Sequence, residues 1–336
     1  MAKTTKPELE STDLRNKLED LSGIVIKPGD NPYDSLIKSC EGHAPMIQGL
    51  YSTHRIARNQ QQKEKFLSPD FSGLLIDPVL LRLEKPDIEP GFRDPRNCLV
   101  FWACPPDHII KLAAHIQRVL QQAAPNLWLM PTHRMHLTTL EIAHSRTPFE
   151  IASMVDLMRP NIPSLTNIPF VKRARLVKPF ISYDLSAIAV SFLPAAGEAV
   201  LSPSPVAPHP EHIAHPGLSG NDTAENDSYT YHHLRRDVFD GARATGVEIG
   251  SRYVVPSAHI TLARYLTQAD HETPEQRQKW IQAIDDLNSW LSKEVWDVEG
   301  GKFIGEWIVG QERGLDVRMG PLWYGGGRTV MVGEGF

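Results

Sequence analysis

The spacing of apolar residues alternates along the chain between the period of a strand and that of a helix. Residues 98–104 are apolar on both faces, which predicts a buried strand. Apolar residues then recur at helical spacing over 105–123, and Pro125 ends that helix. A second strand is predicted at 135–142. Thr147 follows as a predicted helix N-cap, with its capping-box partner Glu150 three residues later.

The second half of the chain repeats this mixture of strands and helices. Alternating apolar residues predict strands at 170–177, 181–193 and 258–266. Helical spacing predicts helices over 231–244 and 273–294. Short strands separated by glycines are expected between 303 and 332.

Three stretches differ from this pattern. Residues 1–30 are polar and charged, and they predict a flexible N-terminal tail. Residues 31–96 predict a helical N-terminal extension, and about 194–228 predict a disordered or loosely ordered Pro-rich insert. One helix of the extension can contact phosphate or face solvent, and we expect the solvated face. Its basic residues are His54, Arg55, Arg58, Lys63 and Lys65.

Composition and charge narrow the class of protein. The 336 residues contain no apolar run long enough to cross a membrane and no apolar stretch behind the N-terminus that would predict a secretory signal. Three sparse cysteines predict reduced thiols in the cytoplasm or the nucleus. A net charge of −5 argues against a general nucleic-acid coat but permits a small nucleotide or one RNA end in a locally basic cleft.

One short pattern occurs twice, as His136-Leu137-Thr138 and His259-Ile260-Thr261. Each copy lies in a predicted strand, so its histidine and threonine share one face while the apolar residue between them faces a core. Two such pairs facing each other can hold a phosphate between two imidazoles and two hydroxyls. One imidazole can then act as base and the other as acid, which is the equipment for breaking a phosphodiester without a metal.

The repeated His-apolar-Thr pattern resembles that of the two-histidine (2H) phosphoesterase superfamily, the RNA ligase/cyclic nucleotide phosphodiesterase group. The resemblance implies a bilobal α+β fold in residues 97–336, with two antiparallel-sheet lobes and outer helices around a central cleft. Lobe 1 would cover about 97–170 and lobe 2 about 229–336, and the stretch before them looks like an extension of fungal members. It also implies metal-independent chemistry, with His136 and His259 catalytic and no cofactor.

Further residues of the sequence are candidates for this site. Thr138 and Thr261 would donate hydrogen bonds to phosphate oxygens. Tyr265 and Arg134 follow the alternation onto the motif face, so they can contact a base or a phosphate, although packing and solvent exposure explain them equally well. Three histidines of the insert lack a structured scaffold, and no metal site is predicted there. They are His209, His212 and His215.

The sequence therefore predicts a metal-independent phosphodiesterase that hydrolyses a cyclic phosphate. The implied substrate is a 2′,3′-cyclic nucleotide, a cyclic phosphate at an RNA end, or the cyclic phosphate of ADP-ribose. Two alternatives stay open: a binding protein or repurposed enzyme that keeps the 2H fold, and an exonuclease that trims RNA 3′ ends. No membrane association and no obligate protein partner are expected.

Overall fold

The computed structural model describes residues 19–27, 29–201 and 227–336. Its fold is α+β, as predicted: an antiparallel sheet of nine strands with helices packed around it. The strands are β1 Asn97–Ala103, β2 Leu127–Leu129, β3 Leu137–Arg146, β4 Arg175–Tyr183, β5 Ala187–Pro194, β6 His259–Tyr265, β7 Trp307–Ile308, β8 Asp316–Gly320 and β9 Arg328–Val332. The α-helices are α1 Pro32–Ser39, α2 Ala44–Leu67, α3 Pro78–Glu84, α4 Asp107–Ala123, α5 Pro148–Met158, α6 Ile162–Thr166, α7 Ile168–Val171, α8 Tyr231–Arg243 and α9 Pro274–Glu294.

The sheet consists of two halves joined at its centre. Its strand order is β7-β4-β5-β6-β3-β1-β8-β9, and β2 pairs with β6 beside this path. The halves meet where β3 runs antiparallel to β6, with Leu137 opposite Ile260. Both of these side chains are fully buried, so the core lies on one side of the junction and the opposite face is left for polar residues.

The strand pairing joins parts of the chain that are far apart in the sequence. Strand β5 precedes the Pro-rich stretch, yet it pairs with β4 on one side and with β6 on the other. Strands β8 and β9 lie near the C-terminus, yet β8 pairs with β1 of the first half. Each half is therefore assembled from separate stretches of the chain, which the hydrophobic pattern of one stretch alone does not record.

Several helices begin where the local sequence predicts. The Thr147 hydroxyl accepts from the Glu150 backbone N–H, and the Glu150 carboxylate accepts from the Thr147 backbone N–H, which confirms the predicted capping box of α5. Thr273 and Gln276 form the same arrangement at the start of α9. These caps satisfy backbone N–H groups that have no partner within the helix.

The N-terminal extension packs against the sheet through α2. The prediction of a solvated basic face is wrong for this helix, since the side chains of His54 and Arg55 are buried. Arg55 donates to the Lys178 carbonyl at 2.8 Å, and Asn59 donates to the Ile181 carbonyl at 2.7 Å. Helix α2 therefore fixes itself to β4 with polar side chains that bind backbone carbonyls.

The described ends of the Pro-rich stretch are anchored by one buried arginine. Arg175 on β4 forms ion pairs of 2.7 Å with Asp227 and with Glu306, and its Nη1 donates to the Ala199 carbonyl. The predicted disorder of the insert concerns mainly 202–226, and the predicted flexible tail concerns mainly 1–18; both ranges lie outside the described residues. Among the described helices, none is long and apolar enough to span a membrane.

Candidate active site

The two motifs lie side by side at the junction of the sheet halves. Leu137 is opposite Ile260 in an antiparallel pair. Each histidine is therefore next to the threonine of the other motif, and the two histidines are diagonal to each other. All four polar side chains, those of His136, Thr138, His259 and Thr261, line one cavity. The structure therefore brings together the four residues that the repeated pattern singled out.

The cavity is bounded by elements from distant parts of the chain. Its floor is the open face of the sheet, where Trp102 from β1 and Ala189 from β5 lie on either side of the motifs. One wall is α2, which contributes Arg55 and Arg58. The other walls are the connector 251–258 and the loop after β8, which carries Trp323.

His136 is held in one orientation by a carbonyl and a ring. Its Nδ1 lies 2.8 Å from the Arg134 carbonyl oxygen, and because a carbonyl only accepts, Nδ1 carries the hydrogen. The neutral imidazole therefore keeps its lone pair on Nε2. Its ring stacks on Trp102 with centroids 3.6 Å apart and planes 14° from parallel. Burial lowers the pKa of His136 to about 4.

His259 is oriented in a similar way by a different set of groups. Its Nδ1 lies 3.0 Å from the Ser257 hydroxyl, and its ring lies 5.8 Å from that of Tyr253 at 28°. Burial lowers the pKa of His259 to about 4, and the nearby guanidinium of Arg58 and the ring of His136 act in the same direction. Both histidines are thus neutral imidazoles at neutral pH before substrate binds.

Two further residues organise the motifs, and no pattern in the sequence indicated them. The hydroxyl of Tyr253 lies 3.2 Å from Thr138 Oγ1, so it bridges the first motif to the ring of the second histidine. Arg235, fully buried on α8, donates to the Thr139 carbonyl at 3.0 Å and to the Ser257 carbonyl at 3.1 Å. Arg235 therefore links the strand of one motif to the residues that precede the other.

The two possible substrate-binding residues, Tyr265 and Arg134, do not place their side chains in the cavity. Tyr265 is buried against His271 and Trp280 at the core side of the sheet. The register of β5 against β6 shifts between Thr261 and Ala263, so the alternation reverses there. Arg264 faces the cavity instead of Tyr265.

Arg134 lies in a 3₁₀ turn formed by Thr132–Arg134, because β3 begins only at Leu137. The strand alternation that placed Arg134 beside His136 does not hold in a turn. Its side chain is exposed, and its contribution to the site is the backbone carbonyl that orients His136.

Two ion pairs set the charge of the cavity walls. Arg58 and Asp184 lie 2.7 Å apart on the side of α2. On the other side Glu141, which is 2 % exposed, accepts from Arg252 Nη2 at 2.6 Å and from Nε at 3.0 Å. Over the stretch that the structure describes, no three His, Cys, Asp or Glu side chains gather as metal ligands. The insert histidines His209, His212 and His215 lie outside that stretch.

Comparisons with known proteins give only distant likenesses. No family model matches the chain, and no characterised protein matches it in sequence. The crystal structure of TT0787 of Thermus thermophilus matches at 15 % identity and a TM-score of 0.35, over 70 % of this chain and 97 % of that one. The structure of Kluyveromyces marxianus Usb1 matches at 9 % identity and a TM-score of 0.34, over 67 % and 93 %. Likenesses this weak assign no activity, so function is argued from the cavity.

Proposed function

We propose that the chain is a metal-independent phosphodiesterase of the two-histidine type that hydrolyses a cyclic phosphate. The observation that carries the proposal is the pairing of Leu137 with Ile260, which sets two His-Thr pairs beside each other in one cavity. A single histidine in a cavity has many explanations. Two oriented imidazoles and two hydroxyls on the floor of one cavity supply the acid, the base and the hydrogen-bond donors that catalysis at one phosphorus atom requires.

The proposed reaction uses one neutral and one protonated imidazole. The neutral ring takes a proton from water, the water oxygen forms a bond to phosphorus, and one ester P–O bond breaks. The protonated ring gives its proton to the departing oxygen, so the products are a phosphomonoester and a free hydroxyl. The hydroxyls of Thr138 and Thr261 donate to the non-bridging oxygens as negative charge develops there.

The charges of the cavity favour a small substrate. Arg58 and Arg252 are both engaged by carboxylates, so among the described residues the unpaired cations of the cavity do not form a continuous row for a long RNA strand. An RNA-trimming exonuclease would need such a row beyond the two histidines. We therefore place a 2′,3′-cyclic nucleotide, or a related small cyclic phosphate, ahead of RNA.

Hydrolysis of 2′,3′-cyclic nucleotides in the presence of EDTA tests the proposal. We expect turnover by the full chain and a loss of at least about a hundredfold in His136→Ala and in His259→Ala. The matched control is His133→Ala, which removes an exposed histidine three residues from the first motif. Full activity in either motif variant would refute the mechanism. Ligand binding by the folded protein without turnover would support the binding-protein alternative.

A further inference from the structure

The cavity contains an arginine that no carboxylate among the described residues pairs with. Arg264 on β6 lines the cavity, and its Nε is buried without a hydrogen-bond partner. Within the described parts of the chain, no carboxylate or carbonyl accepts from its guanidinium, which lies 5.6 Å from the ring centre of Tyr324. Removing a charged group from water is costly unless an opposite charge compensates it, so a partly buried guanidinium without a carboxylate partner is suited to bind an anion.

The acidic side chains on neighbouring segments are already engaged elsewhere. Asp184 binds Arg58 through one oxygen and the backbone N–H groups of Ser186 and Ala187 through the other. Asp77 binds Arg96 and the Tyr324 hydroxyl. Arg264 is therefore left as a cation that faces the same space as the two motifs.

The floor between Arg264 and the motifs is open. Across the β5–β6 pair, Ala187 lies opposite Arg264 and Ala189 lies opposite Thr261, so only methyl groups stand on β5 at these positions. Arg264 is three positions after Thr261, which is roughly 10 Å of strand. Thr261 and Arg264 line the same cavity, and this spacing leaves room for one nucleotide unit between the proposed phosphate site and the guanidinium.

We infer that Arg264 forms a second anion subsite and that the substrate is a nucleoside 2′,3′-cyclic phosphate carrying a 5′-phosphate or 5′-diphosphate group. The inference rests on the proposed function, since the cyclic phosphate is placed at the two motifs. The nucleoside lies over Ala187 and Ala189, and its 5′ phosphate pairs with the guanidinium. Such a charge-assisted, bidentate contact also fixes which way round the nucleotide lies.

The test compares adenosine 2′,3′-cyclic phosphate with the same compound phosphorylated at its 5′ hydroxyl. We expect the wild-type kcat/KM to favour the 5′-phosphorylated compound by about tenfold to a hundredfold. In Arg264→Gln this preference falls to about one, and in Arg264→Lys it is partly kept. The matched control is Arg159→Gln, which alters an exposed arginine far along the chain and keeps the wild-type preference.

Binding measurements separate this inference from the proposed function. Calorimetry compares adenosine with adenosine 5′-diphosphate as probes, and it needs no turnover. One outcome is that no cyclic phosphate is hydrolysed, adenosine 5′-diphosphate binds more tightly than adenosine, and this difference disappears in Arg264→Gln. The subsite then stands and the proposed reaction fails. Equal use of the two cyclic phosphates by the wild type, or an unchanged preference in Arg264→Gln, overturns the subsite.

Discussion

The depressed pKa values of the two motif histidines predict an unusual pH dependence. His136 and His259 each have a pKa of about 4, against an ordinary value of 6.5. At pH 7 such an imidazole is protonated in about one molecule in a thousand, whereas an ordinary one is protonated in about one in four. The proposed reaction needs one protonated ring, so the free protein holds little of the active form at neutral pH.

This predicts a maximum of kcat/KM on the acidic side and a fall of about tenfold per pH unit above about pH 5. Between pH 5 and pH 7 the loss is therefore about a hundredfold. The profile of kcat should reach higher pH than that of kcat/KM, because a bound phosphodiester anion raises the pKa of both imidazoles.

Titration of the histidine C–H signals by NMR tests the cause directly, since it needs no substrate. It should give a pKa of about 4 for each motif histidine in the folded protein. The same signals in urea-unfolded protein serve as the control and should titrate near the ordinary histidine value of about 6.5. A folded-state pKa near that ordinary value for His136 or His259, or a kcat/KM maximum at or above about pH 6.5, would refute the reasoning from burial.

The same shifts require a control on folding. A histidine whose pKa is lower in the folded than in the unfolded chain stabilises the fold fully above about pH 6.5, and this contribution is lost as the pH falls toward about 4. Near-UV circular dichroism at each pH shows whether a loss of activity at the acidic end reflects protonation of the site or unfolding.

Two further predictions concern the cavity walls. Glu141→Gln removes the charge that balances Arg252, and we expect it to lower the free energy of unfolding by about 2 kcal/mol in urea titrations. The exposed Glu84→Gln is its control and should leave the midpoint unchanged. Arg58→Gln removes a cation that lowers the pKa of His259, so that pKa should rise in the NMR titration, and an unchanged value would contradict the assigned cause.

Much of the local structure could be predicted because it depends on neighbouring residues. Strand alternation predicts which side chains share a face, and it holds over the three residues of each His-apolar-Thr motif. The cap formed by Thr147 and Glu150 is likewise a local interaction, so its sequence pattern predicts the start of α5.

The errors arise where long-range pairing overrides the local pattern. The shift between Thr261 and Ala263 depends on how β5 pairs with β6, and nothing in the seven residues of β6 records it. Strict alternation past that shift predicts that Tyr265 faces the cavity, whereas Arg264 faces it in the structure. The prediction that the basic face of α2 is solvated is wrong for a similar reason. The same type of polar side chain can bind either a buried carbonyl or water, and the sequence does not distinguish the two cases.

The junction of the sheet halves shows why the site needs more than its motifs. Strands β3 and β6 pair at a single position, Leu137 with Ile260, and then diverge, so this pair alone does not fix the angle between the halves. Arg235 supplies a second connection, because its guanidinium donates to carbonyls on both sides and to the Tyr33 hydroxyl of the N-terminal extension. The separation of the two imidazoles therefore depends on a buried cation and on residues far outside the repeated pattern.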